Sequence, residues 1–228
     1  MRDFGKGVWI VIAAFNEEQV IGQVVGDVTR VYPNLVVVDD GSTDLTASKA
    51  SAAGATVVKH PVNLGQGAAL QTGIAFALSQ GAEYLVTFDA DGQHRVADIA
   101  VLLQGVRYGK VDYALGSRFM RGASNVPLTR RILLQAATLF TRFTTGLRIS
   151  DSHNGLRAMT RKGASELSIR QNRMAHASEI LQQIADSGLN YVEVPVTIAY
   201  THYSLAKGQR LTGSVDIVLD LLANRLQR

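Results

Sequence analysis

Residues 84–94 have the sequence YLVTFDADGQH, in which an apolar run leads directly into two aspartates and a glycine. The run predicts a buried strand over Tyr84–Phe88, because it is short, continuous and bounded by turn residues. Three runs of the same kind precede it, at Val8–Ala14, Leu35–Asp39 and Ala55–Val58. Apolar residues at helical spacing lie between and after these runs, and they predict helices over Glu17–Tyr32, Thr43–Ala53, Gly65–Gln80 and Val96–Arg107. Strands alternating with helices at this spacing predict an α/β fold with a mostly parallel sheet flanked by helices.

The second half of the chain departs from this alternation. A long helix is predicted over Pro127–Leu147, a shorter one over Ala175–Asp186 and a terminal amphipathic one over Ser214–Leu226. Tyr191–Tyr200 is predicted to be extended, and Pro195 within it indicates an edge strand, because proline cannot donate a ladder hydrogen bond. No change in composition is typical of a linker, so we expect one domain.

The composition excludes several classes of protein and site. Hydrophobic residues make up 46% of the 228 residues and charged residues 18%, which is sufficient for a core and unlike a disordered chain. The net charge of +4 is not gathered into basic blocks, so we expect no nucleic-acid partner, although phosphorylated substrates or an anionic membrane would suit it. The absence of cysteine excludes disulfides, thiolate metal sites and cysteine nucleophiles.

The longest apolar run, Val8–Phe15, is too short to span a bilayer, and the first residues lack the layout of a signal peptide. We therefore expect a cytoplasmic protein, free or on the cytosolic face of a membrane.

A polar, glycine-bearing cluster follows each of the four predicted strands of the first half. The clusters begin at Ala14, Asp39, Asn63 and Asp89. Ligands bind outside the carboxyl ends of the strands in open parallel sheets, so we expect these four loops to form one composite site.

Asp89 and Asp91 form the most informative of these clusters. Two carboxylates separated by one residue at a strand end can face the same small volume, where they would repel and the pKa of one would rise. A divalent cation relieves this repulsion and prefers oxygen ligands, and Gln93 offers a neutral third ligand. The pattern favours Mg²⁺ or Mn²⁺ bridging the protein to a diphosphate. The alternative is that Asp-x-Asp-Gly is a turn without a ligand.

The clusters after the second and third strands also allow structural interpretations. Ser42 or Thr43 is expected to cap the following helix, which would leave Asp40 free to accept a hydrogen bond from a base or ribose. Gly65 and Gly67 precede a helix, where backbone amides can approach a phosphate, but plain turn geometry explains them equally well.

The ordered set of motifs resembles the family 2 glycosyltransferases of the GT-A fold. The motifs that carry the resemblance are Ala14-Phe15-Asn16-Glu17-Glu18, Val38-Asp39-Asp40-Gly41-Ser42-Thr43-Asp44, Asn63-x-Gly65-x-Gly67 and Asp89-x-Asp91-Gly92-Gln93. Three further motifs resemble the polyprenyl-phosphate (dolichol-phosphate-like) sugar transferases, namely Gly116-Ser117-Arg118, Pro127-Leu128-Thr129-Arg130-Arg131 and Asp151-Ser152-His153-Asn154-Gly155-Leu156-Arg157. The likeness covers residues 7–212, nearly the whole chain.

The resemblance implies an inverting, metal-dependent sugar transferase with a Rossmann-like sheet. The donor would be a UDP-sugar, or else a GDP-sugar, and the acceptor an undecaprenyl- or dolichyl-type polyprenyl phosphate. The single GT-A domain of residues 1–228 would comprise a nucleotide-sugar-binding half at 1–115, an acceptor-binding half at 116–212 and a C-terminal amphipathic helix at 213–228.

The resemblance also assigns roles to residues. Ala13 to Phe15 would line the nucleobase, Glu17 would bind the ribose and Asp40 would hydrogen-bond the base; many relatives have proline where this chain has Ala13. Further nucleotide-sugar contacts would come from Asn63, Gly67, Asp89, Ala90 and Asp91. The metal ligands would be Asp89, Asp91 and Gln93. The acceptor phosphate would be held by Arg118, Arg130 and Arg131, and the catalytic residues would be Asp91, Arg118 and Arg131.

The chemistry of the acceptor decides whether a base is needed. A sugar hydroxyl needs a positioned carboxylate to take its proton. A phosphate monoester is mostly dianionic at pH 7 and instead needs cationic groups, for which arginine is suited. Many hydroxyl-directed relatives carry a Glu-Asp pair in the later third of the domain, whereas Glu179 here has no adjacent aspartate, and arginines are abundant between 118 and 148.

The sequence therefore favours a phosphate acceptor and leaves two alternatives. One is transfer to a hydroxyl of a cell-surface polysaccharide or lipid-linked saccharide, and the other is a nucleotide-sugar-binding module without turnover. Glu179 also has a structural interpretation as a helix N-terminal charge, and Asp151 as a turn residue. None of His94, His153, His176 and His202 is assigned a catalytic role.

A lipid acceptor requires access to a membrane. Arg130–Arg148 alternates cationic and apolar positions as an interfacial helix does. For the terminal helix, ordinary core-facing amphipathicity is the alternative. Relatives often carry transmembrane helices after the catalytic domain. We expect this chain to attach in one of three ways: peripherally, through a small integral membrane partner, or through homo-oligomerisation.

Overall fold

A computed structural model of the chain describes residues 5–120, 128–172 and 175–199, without the side chains of 128–130. The described strands are β1 Val8–Ala14, β2 Leu35–Asp39, β3 Thr56–Lys59, β4 Tyr84–Thr87, β5 Tyr113–Ser117, β6 Arg157–Thr160 and β7 Tyr191–Pro195. The described helices are α1 Ile21–Thr29, α2 Thr46–Ala52, α3 Gln66–Ser79, α4 Val96–Tyr108, α5 Leu128–Thr145, α6 Arg161–Glu166 and α7 His176–Ser187.

The strands form one sheet in the order β3-β2-β1-β4-β6-β5-β7. Strands β3, β2, β1 and β4 are parallel, β6 is antiparallel to both of its neighbours, and β7 is parallel to β5. The predicted fold class, an α/β fold with a mostly parallel sheet, is confirmed. Pro195 ends β7 at the edge of the sheet, as predicted.

Helices cover both faces of the sheet, which explains the continuous apolar runs. Successive residues of a strand point to opposite faces. Ile10 and Ile12 of β1 accordingly belong to the apolar cluster that includes α1 and α4, whereas Val11 belongs to the cluster that includes α3, α6 and α7. Every residue of β2 is buried. These strands read as unbroken apolar runs because both of their faces are covered.

The structure differs from the predicted elements mainly in the second half. Strands β5 and β6 and the short helix α6 were not predicted, and their presence extends the sheet beyond β4. Helices α1 and α2 begin later than predicted, at Ile21 and Thr46, because the residues before them form the loops of the site. The predicted terminal helix Ser214–Leu226 and the predicted domain parts beyond residue 199 lie outside the described residues.

Candidate active site

The loops that follow the parallel strands lie together at the carboxyl ends of these strands, as the sequence predicts. Ala14 at the end of β1 pairs with Asp39 at the end of β2, and β1 also pairs with β4. The first two loops are joined by hydrogen bonds: Asn16 N–H donates to Ser42 Oγ at 2.9 Å, and Thr43 N–H donates to Asn16 Oδ1 at 3.0 Å. Asn16 adopts a left-handed backbone with φ of 53°, which asparagine tolerates better than most residues.

Helix α2 is not capped as predicted. Ser42 accepts a hydrogen bond from Asn16 instead, and α2 begins at Thr46, whose N–H donates to Asp44 Oδ1 at 2.9 Å. The capping prediction for Ser42 or Thr43 is therefore wrong, because both residues connect two loops of the site.

The capping argument predicts that the Asp40 carboxylate has no partner within the protein. The structure shows instead that it has three. Its side chain is buried and lies against the loop after β3: Oδ1 is 2.7 Å from His60 Nδ1 and accepts from Leu64 N–H at 3.0 Å, and Oδ2 accepts from Gly65 N–H at 2.7 Å. The carboxylate therefore holds this loop in place, and any contact with a base would be additional to these three.

Gly65 and Gly67 allow two loops to come close together. The N–H of Gly65 is engaged by Asp40, and the N–H of Gly67 donates to Asn172 O at 3.1 Å. A Cβ atom at either glycine would overlap backbone atoms of residues 171–172. Both amides are therefore engaged within the protein, and close packing explains why glycine is needed at both positions. Asn63, beside them, is exposed.

The other residues predicted to contact the donor lie on the loop after β1. Ala14 is buried, Ala13 is half-buried and the Phe15 side chain is 41% exposed. Glu17 is buried, and its N–H donates to Thr46 Oγ1 at 2.8 Å. Phe15 is therefore the apolar surface that this loop offers to a ligand.

Asp89 and Asp91 lie directly after β4 in contrasting electrostatic environments. Burial acts to raise the pKa of Asp89, but the His94 ring, Arg157 and His176 outweigh it and the pKa lies below its ordinary value. Burial and the charge of Asp89 raise the pKa of Asp91. The predicted rise of one pKa is confirmed, and it belongs to Asp91.

His94 is a structural partner of Asp89. Its Nε2 lies 2.7 Å from Asp89 Oδ2, and its buried ring packs edge-on against Phe88 with 5.5 Å between ring centroids. Gln93 sits between the two aspartates and His94; its N–H donates to Asp91 Oδ1 at 3.0 Å, and its carbonyl accepts from Ala199 N–H at 2.8 Å. The loop of the two aspartates is thus fixed at both of its ends.

The segment before β6 supports Asp89 from the opposite side. Thr87 Oγ1 donates to Gly155 O at 2.6 Å, and a Cβ atom at Gly155 would lie 2.5 Å from Asp89 Oδ2 and closer still to Oδ1. Arg157 of β6 is 3% exposed. Burial lowers its pKa, while Asp89 and Asp151 act to raise it. Gly155 and Arg157 both lie in the motif at residues 151–157, but the sequence alone predicts no role for either of them.

Arg118 is held within the protein by Asp151. Its Nε donates to Asp151 Oδ2 at 2.6 Å and its Nη2 to His153 O at 3.0 Å, and its side chain is 10% exposed. Asp151 Oδ1 also accepts from His153 N–H at 3.2 Å, which confirms the turn interpretation of Asp151. If Arg118 holds an acceptor phosphate, as the sequence predicts, it must do so while its guanidinium is also paired with the Asp151 carboxylate.

The other two predicted arginines lie at the start of α5. Arg131 is exposed, and the side chain of Arg130 lies outside the described residues. Arg118 is paired with Asp151 inside the protein, whereas Arg131 lies at the surface near the start of α5.

Glu179 of α7 is also engaged within the protein. Its carboxylate accepts hydrogen bonds from Arg170 N–H at 3.0 Å and from Gln171 N–H at 2.8 Å. These two contacts hold the loop that packs against Gly65 and Gly67. Glu179 therefore supports the site from outside.

The described residues contain no cluster of three His, Cys, Asp or Glu side chains arranged to hold a metal ion. The residues after β4 that could hold such an ion are two carboxylates, Asp89 and Asp91, with oxygen from Gln93. That set suits Mg²⁺ or a similar ion, which is commonly bound through one or two carboxylates together with substrate phosphates.

Comparisons with known proteins agree with this geometry. Residues 9–168 match the family described as Glycosyl transferase family 2. A UDP-N-acetylglucosamine–dolichyl-phosphate N-acetylglucosaminyltransferase of Methanococcus voltae is 34% identical over 95% of this chain and 95% of its own. A polyprenol monophosphomannose synthase of Mycolicibacterium smegmatis is 29% identical over 87% of this chain and 79% of its own.

A solved structure supports the same fold. The glucosyl-3-phosphoglycerate synthase of Mycobacterium tuberculosis, in complex with Mn²⁺ and UDP-glucose, superposes with a TM-score of 0.71. It is 22% identical, and the match covers 95% of this chain and 78% of that one.

Proposed function

Because the chain belongs to glycosyl transferase family 2, we propose that it transfers a sugar from a nucleoside diphosphate sugar to a polyprenyl phosphate at a membrane surface. The observation that carries this proposal is the Asp89–Asp91 pair at the carboxyl end of β4, where the loops after β1, β2 and β4 meet. The acceptor class is supported by the names of the Methanococcus and Mycolicibacterium relatives.

The donor would lie along the loops after β1 and β2. Phe15 would cover the nucleobase, since it is an exposed aromatic side chain that directly follows Ala14, the residue paired with Asp39 at the end of β2. Glu17 would bind the ribose, and Asn63 and Ala90 would complete the contacts. UDP is the nucleotide that we favour, with GDP as the alternative.

The diphosphate would be bound through a divalent cation held by Asp89, Asp91 and the side chain of Gln93. The raised pKa of Asp91 supports this assignment, because a cation relieves the repulsion between the two carboxylates. When bound, Mg²⁺ or Mn²⁺ supplies stabilisation of the charge that develops on the leaving diphosphate. His94, Arg157 and Gly155 keep the Asp89 carboxylate in place for this purpose.

The acceptor phosphate would need no protein base. A phosphate oxygen attacks the anomeric carbon, the bond from that carbon to the diphosphate breaks, and a single displacement inverts the configuration. The engagement of Glu179 by two backbone amides supports this acceptor over a sugar hydroxyl, because the carboxylate is committed to a structural role. Arg131 and Arg130 at the start of α5 would bind the phosphate, and Arg118 would act through Asp151 and the loop at 151–153.

The outer face of α5 would lie on the membrane. Ile132, Leu139 and Phe143, here called the α5 stripe, are 58%, 66% and 80% exposed and recur at helical spacing. Arg131, Arg142 and Arg148 are exposed beside the stripe. An exposed apolar stripe flanked by cations suits the boundary between anionic headgroups and acyl chains. Among the described helices, none combines the length and hydropathy needed to cross a bilayer.

Replacing Leu139 and Phe143 together by serine should weaken binding to anionic lipid vesicles by about 10-fold or more, because two large apolar side chains would no longer enter the lipid. Vesicle co-sedimentation measures this change. Tyr108→Ser is the matched control, since Tyr108 is 73% exposed at the end of α4 and should leave the bound fraction unchanged. Equal vesicle binding by the double variant and the parent protein would contradict the membrane orientation.

The proposed reaction is tested by incubating the protein with a panel of labelled nucleotide sugars, undecaprenyl phosphate and Mg²⁺ or Mn²⁺. We expect label from one donor to enter the organic phase, to be lost with EDTA, and to be released by mild acid as expected for a sugar phosphodiester. Acid-stable label would favour a hydroxyl acceptor. Saturable nucleotide-sugar binding without product would favour a binding module.

A further inference from the structure

The ring of His60 joins three elements beside Asp40. Nδ1 lies 2.7 Å from Asp40 Oδ1, and Nε2 lies 3.0 Å from the hydroxyl of Thr72 on α3. The His60 side chain is 9% exposed. Because a carboxylate only accepts hydrogen bonds, Nδ1 carries the proton that faces Asp40. Both ring nitrogens are therefore used, and the ring ties the end of β2 to α3 through the segment after β3.

Asp40 has little acceptor capacity left. Oδ1 faces His60 and accepts from Leu64 N–H, and Oδ2 accepts from Gly65 N–H. A carboxylate offers about four lone-pair positions. Three of these are filled by the loop itself, which leaves a single acceptor position on Oδ2.

The loop cannot move independently of this carboxylate. His60 N–H donates to Asp39 O at 2.9 Å. Gly41 has φ of 73°, and a Cβ atom there would lie 2.6 Å from Asn63 N, so the loop lies directly on the turn after β2. The position of His60 thus fixes both the Asp40 carboxylate and the exposed tip at Val62–Leu64.

We propose that His60 is a positioning residue that sets the base selectivity of the donor site. With His60 in place, Asp40 can accept one further hydrogen bond, which matches the single imino N–H of uracil. Guanine presents two adjacent donor groups, an imino N–H and an amino group, which bind best to a carboxylate with both oxygens available. The inference rests on the proposed function and adds to it a residue, His60, that would produce the preference for UDP-sugars over GDP-sugars.

The test is calorimetric titration of UDP and of GDP, each with Mn²⁺, into the parent protein and three variants. The parent should bind UDP more tightly than GDP. His60→Ala should raise the Kd for UDP about 10-fold, as expected for the loss of an orienting hydrogen bond to a charged group, and should narrow the ratio of the two Kd values. His60→Asn retains an N–H that can face Asp40 and should recover part of the affinity. Ser79→Ala, which removes an exposed hydroxyl at the other end of α3, is the control and should leave the Kd for UDP unchanged.

Turnover provides a readout that a general loss of structure would not reproduce. In His60→Ala the KM for the donor should rise while kcat stays within about twofold, because the chemistry at Asp91 is untouched. Amide hydrogen exchange at Leu64 and Gly65 should accelerate in this variant. If His60→Ala does not fold, His60→Asn carries the same comparison.

The outcomes are distinguishable. Equal binding of UDP and GDP by the parent, tighter GDP binding, or an unchanged Kd for UDP in His60→Ala would overturn this inference and leave the proposed transfer reaction standing. Absence of nucleotide binding by the parent would overturn the proposed function itself and the inference with it.

Discussion

Replacing Asp91 by asparagine should reduce sugar transfer by roughly 10²–10³-fold, the cost of removing one preorganised group that stabilises developing charge. Asparagine keeps the size of the side chain but removes the charge that would hold a cation against the diphosphate. The measurement is kcat for label transfer at saturating donor and metal. Glu83→Gln is the matched control, because it removes an exposed carboxylate at the opposite end of β4 and should leave kcat unchanged.

The same substitution should stabilise the metal-free protein. Burial and Asp89 raise the pKa of Asp91, so the folded state binds this proton more tightly than the unfolded state does. The ionised carboxyl therefore destabilises the fold at pH values above its unfolded pKa of about 3.9, and this destabilisation disappears as the pH falls below that value. Asp91→Asn should melt at a higher temperature than the parent at pH 7 without metal, and the difference should vanish near pH 4.

Adding Mn²⁺ should reverse the order of the two melting temperatures. A ligand that binds only the folded state stabilises it, and the parent would bind the ion while the variant would not. A variant that keeps the parent's kcat and the same Mn²⁺-induced rise in melting temperature would contradict the metal assignment of Asp91.

Gly155→Ala should lower transfer activity and Mn²⁺ affinity by about 10–100-fold, as changes in residues that orient metal ligands do. The added methyl group would overlap both carboxylate oxygens of Asp89. The Asp89 carboxylate cannot move toward His94, because the His94 ring lies 2.7 Å from Oδ2. The carboxylate must therefore rotate away from the site, or the segment before β6 must move. Calorimetric titration with Mn²⁺ and measurement of kcat distinguish this variant from the parent.

Gly26→Ala is the matched control for this change. Gly26 lies within α1, and a Cβ atom there would have nothing within 4 Å. Alanine is favoured over glycine in a helix interior by about 1 kcal/mol, so this variant should be slightly more stable and equally active. An unchanged Mn²⁺ affinity in Gly155→Ala would show that the position of the Asp89 carboxylate does not depend on the close packing of Gly155 against it.

The first half of the fold was predictable because its local signals agree with its tertiary structure. Strands β1, β2 and β4 are apolar runs followed by turn residues, and burial on both faces explains the runs. Strand β6 was not predictable in the same way, since its four residues begin with Arg157, a charged side chain that is buried beside Asp89. No local pattern distinguishes such a strand from a loop, because its stabilising partner is distant in sequence.

The residues of the site also fall into a group that the sequence predicts and a group that it does not. The strand-end carboxylates were found because their spacing and position have a chemical meaning on their own. The engagement of Asp40 by His60 and of Arg118 by Asp151 was missed, because a side chain's partner is chosen by tertiary proximity. A histidine shortly after a strand, such as His60, carries no signal of its own until the loop that it holds is known.

The antiparallel strand β6 also determines when the site can form during synthesis. Thr87 and Gly155 are 68 positions apart, and their hydrogen bond closes the edge of β4. A chain that has emerged only through α4 carries the two aspartates with an unpaired strand edge beside them, which favours pairing with other chains. Closure of so long a segment is slow compared with local helix formation. The nascent protein would therefore be exposed to aggregation in the interval before β6 pairs with β4, and Asp89 would gain Gly155 and Arg157 as neighbours only at the end of that interval.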